Sequence, residues 1–256
     1  MKNLLKQKLQ EGKRVYGPWI LTTGLDNAEI LSHAGADLIM IDGEHGAMDL
    51  ETAGKMVSLI RGTQTAPLLR VPWNTMTDVK RGIDTGAHGI MIPFINTKEE
   101  AEYAVSLCRF PPVGIRGQGS ARAALFSAGL PPFNDYNKTA NDEVLVIVQF
   151  EHIKAFDNLD EILSVDGIDV AFLGPRDLSL SMGLEGNMDH PDVQELCKKL
   201  AAACKKHNVF SAMLTWPGAM KKHYDFGFQM LVGGTDAGFI SNGIQGMLKE
   251  KAEAQI

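Results

Sequence analysis

Residues 144–152 read VLVIVQFEH, and this stretch predicts the fold of the chain. Five apolar residues follow one another before Gln149 without polar alternation, as expected for a strand buried on both faces of a parallel sheet. Glu151 and His152 come next, so side chains suited to acid–base or ligand chemistry stand at the carboxyl end of this strand. The same arrangement recurs along the chain, with helical patterns between the apolar runs.

Eight apolar runs of this kind predict a closed (β/α)₈ barrel, since an open doubly wound sheet usually has about five to seven strands. The length of 256 residues agrees with the roughly 250 that are typical of that barrel. No linker or internal repeat divides the sequence, and we predict one domain over residues 1–256. The predicted strands are Val15–Leu21, Leu38–Ile41, Leu68–Val71, Gly89–Pro93, Val144–Gln149, Val170–Leu173, Phe210–Leu214 and Met230–Val232.

Helical patterns fill the gaps between the predicted strands. Thr97, followed three residues later by Glu100, matches a capping box, and Asp26 with Glu29 matches the same pattern after the first strand. Before the seventh strand, apolar residues recur at i, i+3, i+4 and i+7, which predicts a helix facing the core. That stripe consists of Val193, Leu196, Cys197, Leu200 and Cys204.

A long segment separates the fourth and fifth strands. Residues 109–136 read RFPPVGIRGQGSARAALFSAGLPPFNDY and are rich in Gly and Pro. Long insertions in compact domains are usually functional or disordered. Because the active site of this fold lies among the loops after the strands, we predict that this inserted loop covers the active-site mouth.

Composition and charge argue against several classes of protein. The net charge of −6 and the absence of a long basic run disfavour nucleic acid and anionic membranes as main partners. No stretch reaches the ~18 apolar residues of a membrane span, and the first residues, MKNLLKQKLQEGK, are not expected to act as a signal peptide. The cysteines form no C-x-x-C pair, so we expect core thiols in a reducing cytoplasm. They are Cys108, Cys197 and Cys204.

Polar side chains follow most of the predicted strands, and in this fold they are expected to share one mouth. Glu151 and Asp177 are the candidate metal ligands. Two carboxylates leave most of an octahedron open to water and substrate oxygens, which suits Mg²⁺ or Mn²⁺. The alternative to metal binding is that these two carboxylates form a salt bridge or cap a helix. The strand-end residues are Asp42, Glu44, His45, Arg70, Gln149, Glu151, His152, Arg176, Asp177, Thr215, Trp216, Thr235 and Asp236.

His45 and Arg70 are the candidates for moving a proton and for stabilising charge. Imidazole titrates nearest to neutral pH, and Asp42 precedes His45 by three residues, where it could orient one ring nitrogen. A guanidinium at Arg70 could hold an enolate oxygen or a carboxylate. The alternatives are a structural histidine and an ion pair between Arg70 and an aspartate of a neighbouring strand. For Gly233 and Gly234 we favour tight packing over a phosphate site, because no lysine or arginine accompanies them.

At these residues the sequence resembles the HpcH/HpaI family of class II, pyruvate-dependent aldolases. The resemblance spans nearly the whole chain, from Gly17 to about Gly243. It implies a metal-dependent carbon–carbon lyase on a (β/α)₈ barrel, which reversibly cleaves a 4-hydroxy-2-oxo acid to pyruvate and an aldehyde through the pyruvate enolate. The matching stretches are DLIMIDGEHG (37–46), LLRVPWN (68–74), GIMIPFINTKEEAE (89–102), RFPPVGIRGQGS (109–120), VIVQFE (146–151), FLGPRDLS (172–179) and MGLEGNMDHP (182–191).

The resemblance implies a role for each matching residue. Glu151 and Asp177 would bind a divalent metal, Mg²⁺ or Mn²⁺ with Co²⁺ or Zn²⁺ as alternatives, which pyruvate would also chelate. Arg70 would stabilise the enolate oxyanion. His45, oriented by Asp42, would move the proton on the hydroxyl where the carbon–carbon bond forms or breaks. No lysine among the candidates stands at a strand end, so a Schiff-base mechanism lacks an obvious nucleophile.

Further positions are predicted to contact the substrate. The resemblance places Gln149 beside the metal, and it assigns the pyruvate carboxylate to the backbone around Gly174 and Arg176. Asp84 matches a position that reaches the active site across a subunit contact. We also predict that Trp19, in the first strand, contacts the substrate.

Two other functions stay open at this point. Related barrels with the same metal and enolate chemistry act as lyases, decarboxylases or C–C-forming synthases on oxaloacetate or thioesters. A binding or assembly protein without activity would require a broken site, whereas the candidate residues are all present.

The family implies a homohexamer that exchanges C-terminal helices, here the segment after Gly238.

Overall fold

Eight parallel strands close into a barrel in chain order, with β8 paired to β1. The structure is a computed structural model that describes residues 2–129 and 135–254. The predicted (β/α)₈ architecture is confirmed, and all eight predicted strands are present, with end points that shift by at most three residues. The strands are β1 Val15–Ile20, β2 Leu38–Asp42, β3 Ala66–Arg70, β4 Gly89–Ile92, β5 Leu145–Phe150, β6 Val170–Leu173, β7 Phe210–Thr215 and β8 Met230–Thr235.

Helices surround the barrel. The capping box of Thr97 and Glu100 is confirmed, whereas the capping predicted at Asp26 is wrong, because the helix begins earlier, after Gly24, and leaves Asp26 in its first turn. Among the described residues, no helix combines the length and the apolar character needed to cross a membrane. The helices are α1 Leu4–Gln10, α2 Leu25–His33, α3 Leu50–Ile60, α4 Met76–Asp84, α5 Lys98–Cys108, a 3₁₀ helix Arg122–Ser127, α6 Tyr136–Glu143, α7 Ile153–Asp157, α8 Leu159–Leu163, α9 Pro175–Ser181, α10 Pro191–His207, α11 Met220–Asp225 and α12 Asp236–Glu253.

The pleat of each strand sorts its residues between two cores. In β2, Met40 belongs to the core inside the barrel, whereas Ile41 packs in the core between the strands and the helices. Because side chains alternate with a period of two, Asp42 faces the barrel axis at the carboxyl end of β2. The same alternation directs Arg70 inward from β3 and Gln149 inward from β5. The closed barrel therefore brings these three predicted site residues to one end.

Helix α1 lies across the opposite end of the barrel. Leu5 and Leu9 are each 1% exposed and pack in the interior core. Asn3 caps α1, and its side-chain amide donates to the carbonyls of His88 and Glu143 at 2.8 and 2.7 Å. An apolar plug, fixed by partly buried hydrogen bonds, thus closes the amino-terminal end of the barrel.

The described part of the inserted segment 109–136 lies on the outer helices. Arg122 donates to Ser58 of α3 at 2.7 Å, and Arg116 lies 3.4 Å from the Asp84 carboxylate at the end of α4. The prediction of a loop over the mouth of the same barrel is wrong for these residues, because their polar side chains find partners on α3 and α4. The remaining residues of the segment lie outside the described ranges.

Replacing Leu5 with Ala should lower the free energy of unfolding by ~2–5 kcal/mol, because the change removes buried methyl groups and leaves a cavity under the barrel. Leu4→Ala is the matched control. Leu4 is 38% exposed, so its truncation should cost less than ~1 kcal/mol. Urea unfolding followed by circular dichroism measures both values, and equal losses would contradict the role of α1 as a plug.

Candidate active site

A cavity of ≈ 380 Å³ opens at the carboxyl end of the barrel. Its wall contains eight of the ten predicted site residues, contributed by five strands and the segments that follow them. Of the other two, Glu151 is buried beside Gln149 of the wall, and Asp84 lies elsewhere. The eight wall residues are Trp19, Asp42, His45, Arg70, Gln149, Gly174, Arg176 and Asp177.

Arg70 is held by two carboxylates and one ring. Its Nε and Nη2 donate to the two oxygens of Asp42 at 2.9 and 2.6 Å, and its Nη1 lies 3.0 Å from Glu44. The guanidinium carbon lies 4.7 Å from the centroid of the Trp19 ring. The guanidinium fork matches a carboxylate in this bidentate geometry, and the aromatic face adds a cation–π attraction. Arg70 therefore does pair with the aspartate of a neighbouring strand, and it is fixed in one orientation at the cavity wall.

His45 lies at the cavity mouth, with 67% of its side chain exposed. The expectation that Asp42 orients the imidazole is wrong in this structure. Both Asp42 oxygens bind Arg70, and one of them also accepts the backbone N–H groups of Glu44 and His45, at 3.0 and 3.3 Å. Aspartate side chains commonly accept hydrogen bonds from backbone N–H groups two or three residues later in a turn. Asp42 does so here, and it therefore binds the backbone of His45 instead of its ring. The His45 Nε2 atom lies 3.9 Å from the Glu44 carboxylate.

Two donors orient the Glu151 carboxylate. The backbone N–H of Phe94 donates to Oε1 at 2.9 Å, and the side-chain amide of Gln149 donates to Oε2. Phe94 has a φ of 59°, a left-handed conformation that is unfavourable for a bulky residue. Its ring packs between those of Trp73 and His152, with centroids at 5.7 and 5.6 Å. These ring contacts help to keep a strained peptide aimed at Glu151.

Besides Asp42, three more carboxylates interact with one another near Arg70, those of Glu44, Glu151 and Asp177. Burial, reinforced by the charges of Glu44 and Asp177, raises the pKa of Glu151 to about 8, against the opposing effect of Arg70. Burial also raises the pKa of Glu44, and the charges of Arg70 and His45 only partly oppose that rise. Glu151 and Asp177 thus share one electrostatic environment, in which negative charge exceeds the positive charge that the chain supplies.

This donor set fits a hard divalent cation, which prefers carboxylate and amide oxygens. The side-chain oxygen of Gln149 is buried without a hydrogen-bond partner in the described part of the chain. Gly174 leaves room beside it, since a Cβ there would lie 3.0 Å from Gln149 Nε2 and 3.1 Å from Glu151 Oε2. Within residues 2–129 and 135–254, no three His, Cys, Asp or Glu side chains group as metal ligands. Glu151 and Asp177 would therefore share a cation with oxygens from other sources.

Asp84 does not reach the cavity of its own chain. It is the last residue of α4, and helices in this fold run back toward the amino-terminal end of the strands, away from the mouth. Its side chain is 26% exposed and pairs with Arg116. Only a contact between subunits could bring Asp84 to an active site.

Other strand-end residues have structural partners. Asp236 is 3% exposed and accepts hydrogen bonds from the N–H of Leu21 and the side-chain amide of Asn27, at 3.0 and 3.1 Å. This carboxylate ties the start of α12 to the segment after β1. A Cβ on Gly233 would lie 2.2 Å from the carbonyl oxygen of Thr215, which confirms the interpretation of tight packing there.

Two residues of the site had no role assigned from the sequence. Glu44 gave a usable signal, because it stands between two candidates, Asp42 and His45, in one strand-end run. Phe94 gave none, because it contributes a backbone N–H that any residue type carries.

Residues 16–242 match the family described as HpcH/HpaI aldolase/citrate lyase. The chain belongs to this family. It is 36% identical over 248 residues to the 4-hydroxy-2-oxo-heptane-1,7-dioate aldolase of Salmonella dublin, which covers 96% of this chain and 94% of that protein. The crystal structure of an HpcH/HpaI aldolase/citrate lyase family protein from Burkholderia cenocepacia J2315 has a TM-score of 0.92 at 33% identity, covering 98% of this chain and 100% of that one. The citrate synthase SbnG has a TM-score of 0.86 at 26% identity, covering 98% of both chains.

These similarities confirm the predicted HpcH/HpaI family and the predicted enzyme class, a carbon–carbon lyase of the aldolase type. Class II aldolases of this family in general depend on a divalent metal, in agreement with the oxygen-rich donor set beside Arg70. The roles of the individual site residues stay predictions.

In this HpcH/HpaI aldolase, Asp42→Ala should lower the free energy of unfolding by ~3 kcal/mol, because it leaves the buried Arg70 without its bidentate partner. Urea unfolding measures the loss. The double variant Asp42→Leu, Arg70→Met is the control, since it removes both charges and should recover part of that loss. A double variant no more stable than Asp42→Ala would show that the unpaired charge is not the cause.

Proposed function

We propose that this chain is a divalent-metal-dependent class II aldolase that reversibly cleaves a 4-hydroxy-2-oxo acid to pyruvate and an aldehyde. The observation that carries this function is the interaction of Glu44 and Glu151 with Asp177 and Arg70, two residues of the cavity wall. Anionic oxygens there suit a cation that a keto acid also binds, and a guanidinium next to them can oppose the charge of an enolate. The name of the Salmonella dublin relative supports a 4-hydroxy-2-oxo acid as the substrate.

Glu151 and Asp177 would hold the cation, with Gln149 as their neighbour. Oxygen donors favour Mg²⁺ or Mn²⁺, whereas Co²⁺ and Zn²⁺ bind more readily where nitrogen or sulfur ligands are present. When bound, a divalent cation supplies Lewis-acid stabilisation of the enolate that a keto acid forms.

Arg70 would add positive charge at the keto oxygen, where negative charge develops as the carbon–carbon bond breaks. Asp42 and Glu44 fix the guanidinium before substrate arrives, and the Trp19 ring covers one of its faces. A preorganised donor of this kind needs little rearrangement during the reaction, so more of its attraction is available to the transition state.

His45 would accept the proton of the substrate hydroxyl during cleavage and return it during synthesis. An imidazole can do both near neutral pH. The exposed ring is free to face a substrate at the cavity mouth, while Asp42 fixes the backbone that carries it. Asp42 is thus proposed to position His45 through the main chain.

The start of α9 would receive the pyruvate carboxylate. Gly174 is the N-cap of α9 and makes no side-chain capping bond, so the first backbone N–H groups, around Arg176, have no cap from that side chain. Trp19 and Phe172 pack edge to face in the cavity wall and would enclose the methyl side of pyruvate.

A synthase or decarboxylase acting on oxaloacetate is the second candidate, favoured by the structural similarity to the citrate synthase SbnG. Loss of carbon dioxide from oxaloacetate yields the same pyruvate enolate, so the site would serve both reactions. Oxaloacetate decarboxylation and aldol cleavage, assayed in parallel with one enzyme preparation, rank the two functions by kcat/KM. An inactive binding protein is not supported, because the candidate catalytic and ligand residues are all in place.

We further propose a homohexamer in the cytoplasm. Helix α12 carries exposed apolar side chains along its length, as expected for a helix that packs on another subunit. A subunit contact would also bring Asp84 to a neighbouring cavity. The cysteines are free and buried, which suits a reducing compartment. The exposed apolar residues of α12 are Phe239, Ile240, Ile244, Met247 and Leu248.

Removal of metal should abolish both the aldol cleavage and the exchange of pyruvate methyl protons with D₂O, because both require the enolate. Dialysis against EDTA, followed by titration with Mg²⁺ or Mn²⁺, tests this by mass spectrometry and proton NMR. We expect at least ~10²-fold loss of turnover and full recovery with one of the two ions. Undiminished turnover after chelation would contradict the metal-dependent mechanism.

The same titration tests the ligand assignment. Glu151→Gln should raise the metal concentration needed for half-maximal recovery, because the variant loses an anionic oxygen at the site. Glu161→Gln, on the exposed surface of α8, is the matched control and should recover like the parent enzyme. Equal behaviour of the two variants would remove Glu151 from the proposed ligand set.

Ile244→Glu should break the proposed assembly into smaller species, because it places a charge on the apolar face of α12. Light scattering after size-exclusion chromatography should give about six times the chain mass of 27.9 kDa for the parent and less for the variant. Gln245→Glu adds the same charge on the exposed neighbouring position and should leave the assembly intact. A parent protein that elutes as a monomer would contradict the hexamer.

A further inference from the structure

The cavity contains two arginines, and they differ in their partners. Arg70 is bound by Asp42 and Glu44, as described above. Arg176 lines the same cavity, but its guanidinium makes no hydrogen bond or ion pair with any residue in the described ranges. A guanidinium at a cavity wall with all its donors unused is suited to a planar anion such as a carboxylate.

The position of Arg176 at the start of α9 is electrostatically unfavourable for an arginine. Arg176 is the second residue of α9, where the helix dipole is unfavourable for a positive charge and prefers an acidic residue such as Asp177. Arg176 gains no ion pair there that would offset this cost. The exposed guanidinium therefore has no partner in the described part of the chain and is open to a ligand at the cavity.

The loop after α9 limits where the Arg176 side chain can go. A Cβ on Gly186 would lie 3.9 Å from both Cγ and Nε of Arg176, an ordinary van der Waals distance, so the arginine stem lies close to the loop. Gly186 also has a φ of 80°, which disfavours any residue with a side chain at this position. The guanidinium thus extends from a supported stem at the wall that also carries Asp177.

The rest of the cavity indicates the chemical character of the ligand beyond its carboxylate. Leu21 and Leu214 line the same cavity as Arg176 and offer apolar surface to a short aliphatic chain. A ligand that fits this wall joins such a chain to a terminal carboxylate.

We propose that Arg176 is a specificity-determining residue whose guanidinium binds a carboxylate at the far end of the aldehyde, which rests on the aldolase function proposed above. The chain would then select acceptors that have a terminal carboxylate over neutral acceptors of equal length. In this proposal the backbone N–H of Arg176 binds the pyruvate carboxylate, and its side chain binds the carboxylate of the aldehyde.

The test compares two four-carbon aldehydes in condensation with pyruvate, at saturating Mg²⁺ or Mn²⁺. Succinic semialdehyde has a terminal carboxylate, and butanal has a methyl group in its place. The parent enzyme should prefer succinic semialdehyde in kcat/KM by at least about 10-fold. Arg176→Gln should reduce this preference by about 10- to 100-fold, mainly through KM for the semialdehyde, because a charge-assisted hydrogen bond is lost. Arg176→Lys should restore part of it.

Two controls separate the outcomes. Arg14→Gln removes one guanidinium before β1, away from the cavity, and should keep the parent preference. Pyruvate methyl exchange in D₂O is measured on every variant. An unchanged preference in Arg176→Gln, or equal losses for the two aldehydes that follow the loss of exchange, would overturn the role of Arg176 in acceptor selection. Absence of exchange and condensation in the parent enzyme with every metal would instead reject the aldolase function.

Discussion

Carboxylates at the carboxyl end of the barrel outnumber the charges that could neutralise them. Glu44 and Glu151 are drawn into a site with one paired guanidinium, and Asp177 faces both, so burial and mutual repulsion raise the pKa of Glu151 to about 8. The fold holds them together nonetheless, because the Phe94 backbone and the Gln149 amide fix Glu151 while Arg70 fixes Glu44. Repulsion among fixed anions is also an attraction for a cation, so one arrangement explains both the perturbed acid and the affinity expected for a metal.

Closure of the barrel supplies the positions that this chemistry needs. In an open sheet, side chains of the first and last strands would be far apart, whereas in this barrel β1 pairs with both β2 and β8. Trp19 from β1 can therefore contact Phe172 from β6 across the barrel, with ring centroids 6.0 Å apart. With α1 closing the amino-terminal end, the polar groups of the strands meet only at the mouth. The interior core is thus the platform that sets the distances within the site.

The sequence predicted the features that follow from periodicity. Apolar runs such as VLVIV identified every strand, and the positions after them identified the residues that share the cavity. It gave the ion pair of Arg70 with a neighbouring aspartate only as an alternative, because several donors lie within reach of Asp42. In the structure Asp42 binds Arg70 and two backbone amides and does not bind the His45 ring. The described part of segment 109–136 was misplaced for a similar reason, since Gly and Pro content indicates a loop without indicating which surface its arginines will bind. The strained Phe94 amide leaves no trace in residue type at all.

The side chains of the site fall into two groups: those bound by several partners within the chain, and those without a hydrogen-bond partner in its described part. Arg70 and Glu151, which are proposed to act on the part of the substrate common to every enolate reaction, are buried and bound by several partners each. Arg176, which is proposed to bind the variable part, is exposed, and its guanidinium has no hydrogen-bond partner in the described chain. In this proposal a substitution at Arg176 changes the acceptor without removing a partner of Arg70 or Glu151. This separation gives a physical reason why barrels as similar as an aldolase and a citrate synthase can share one interior and differ in the molecule they accept.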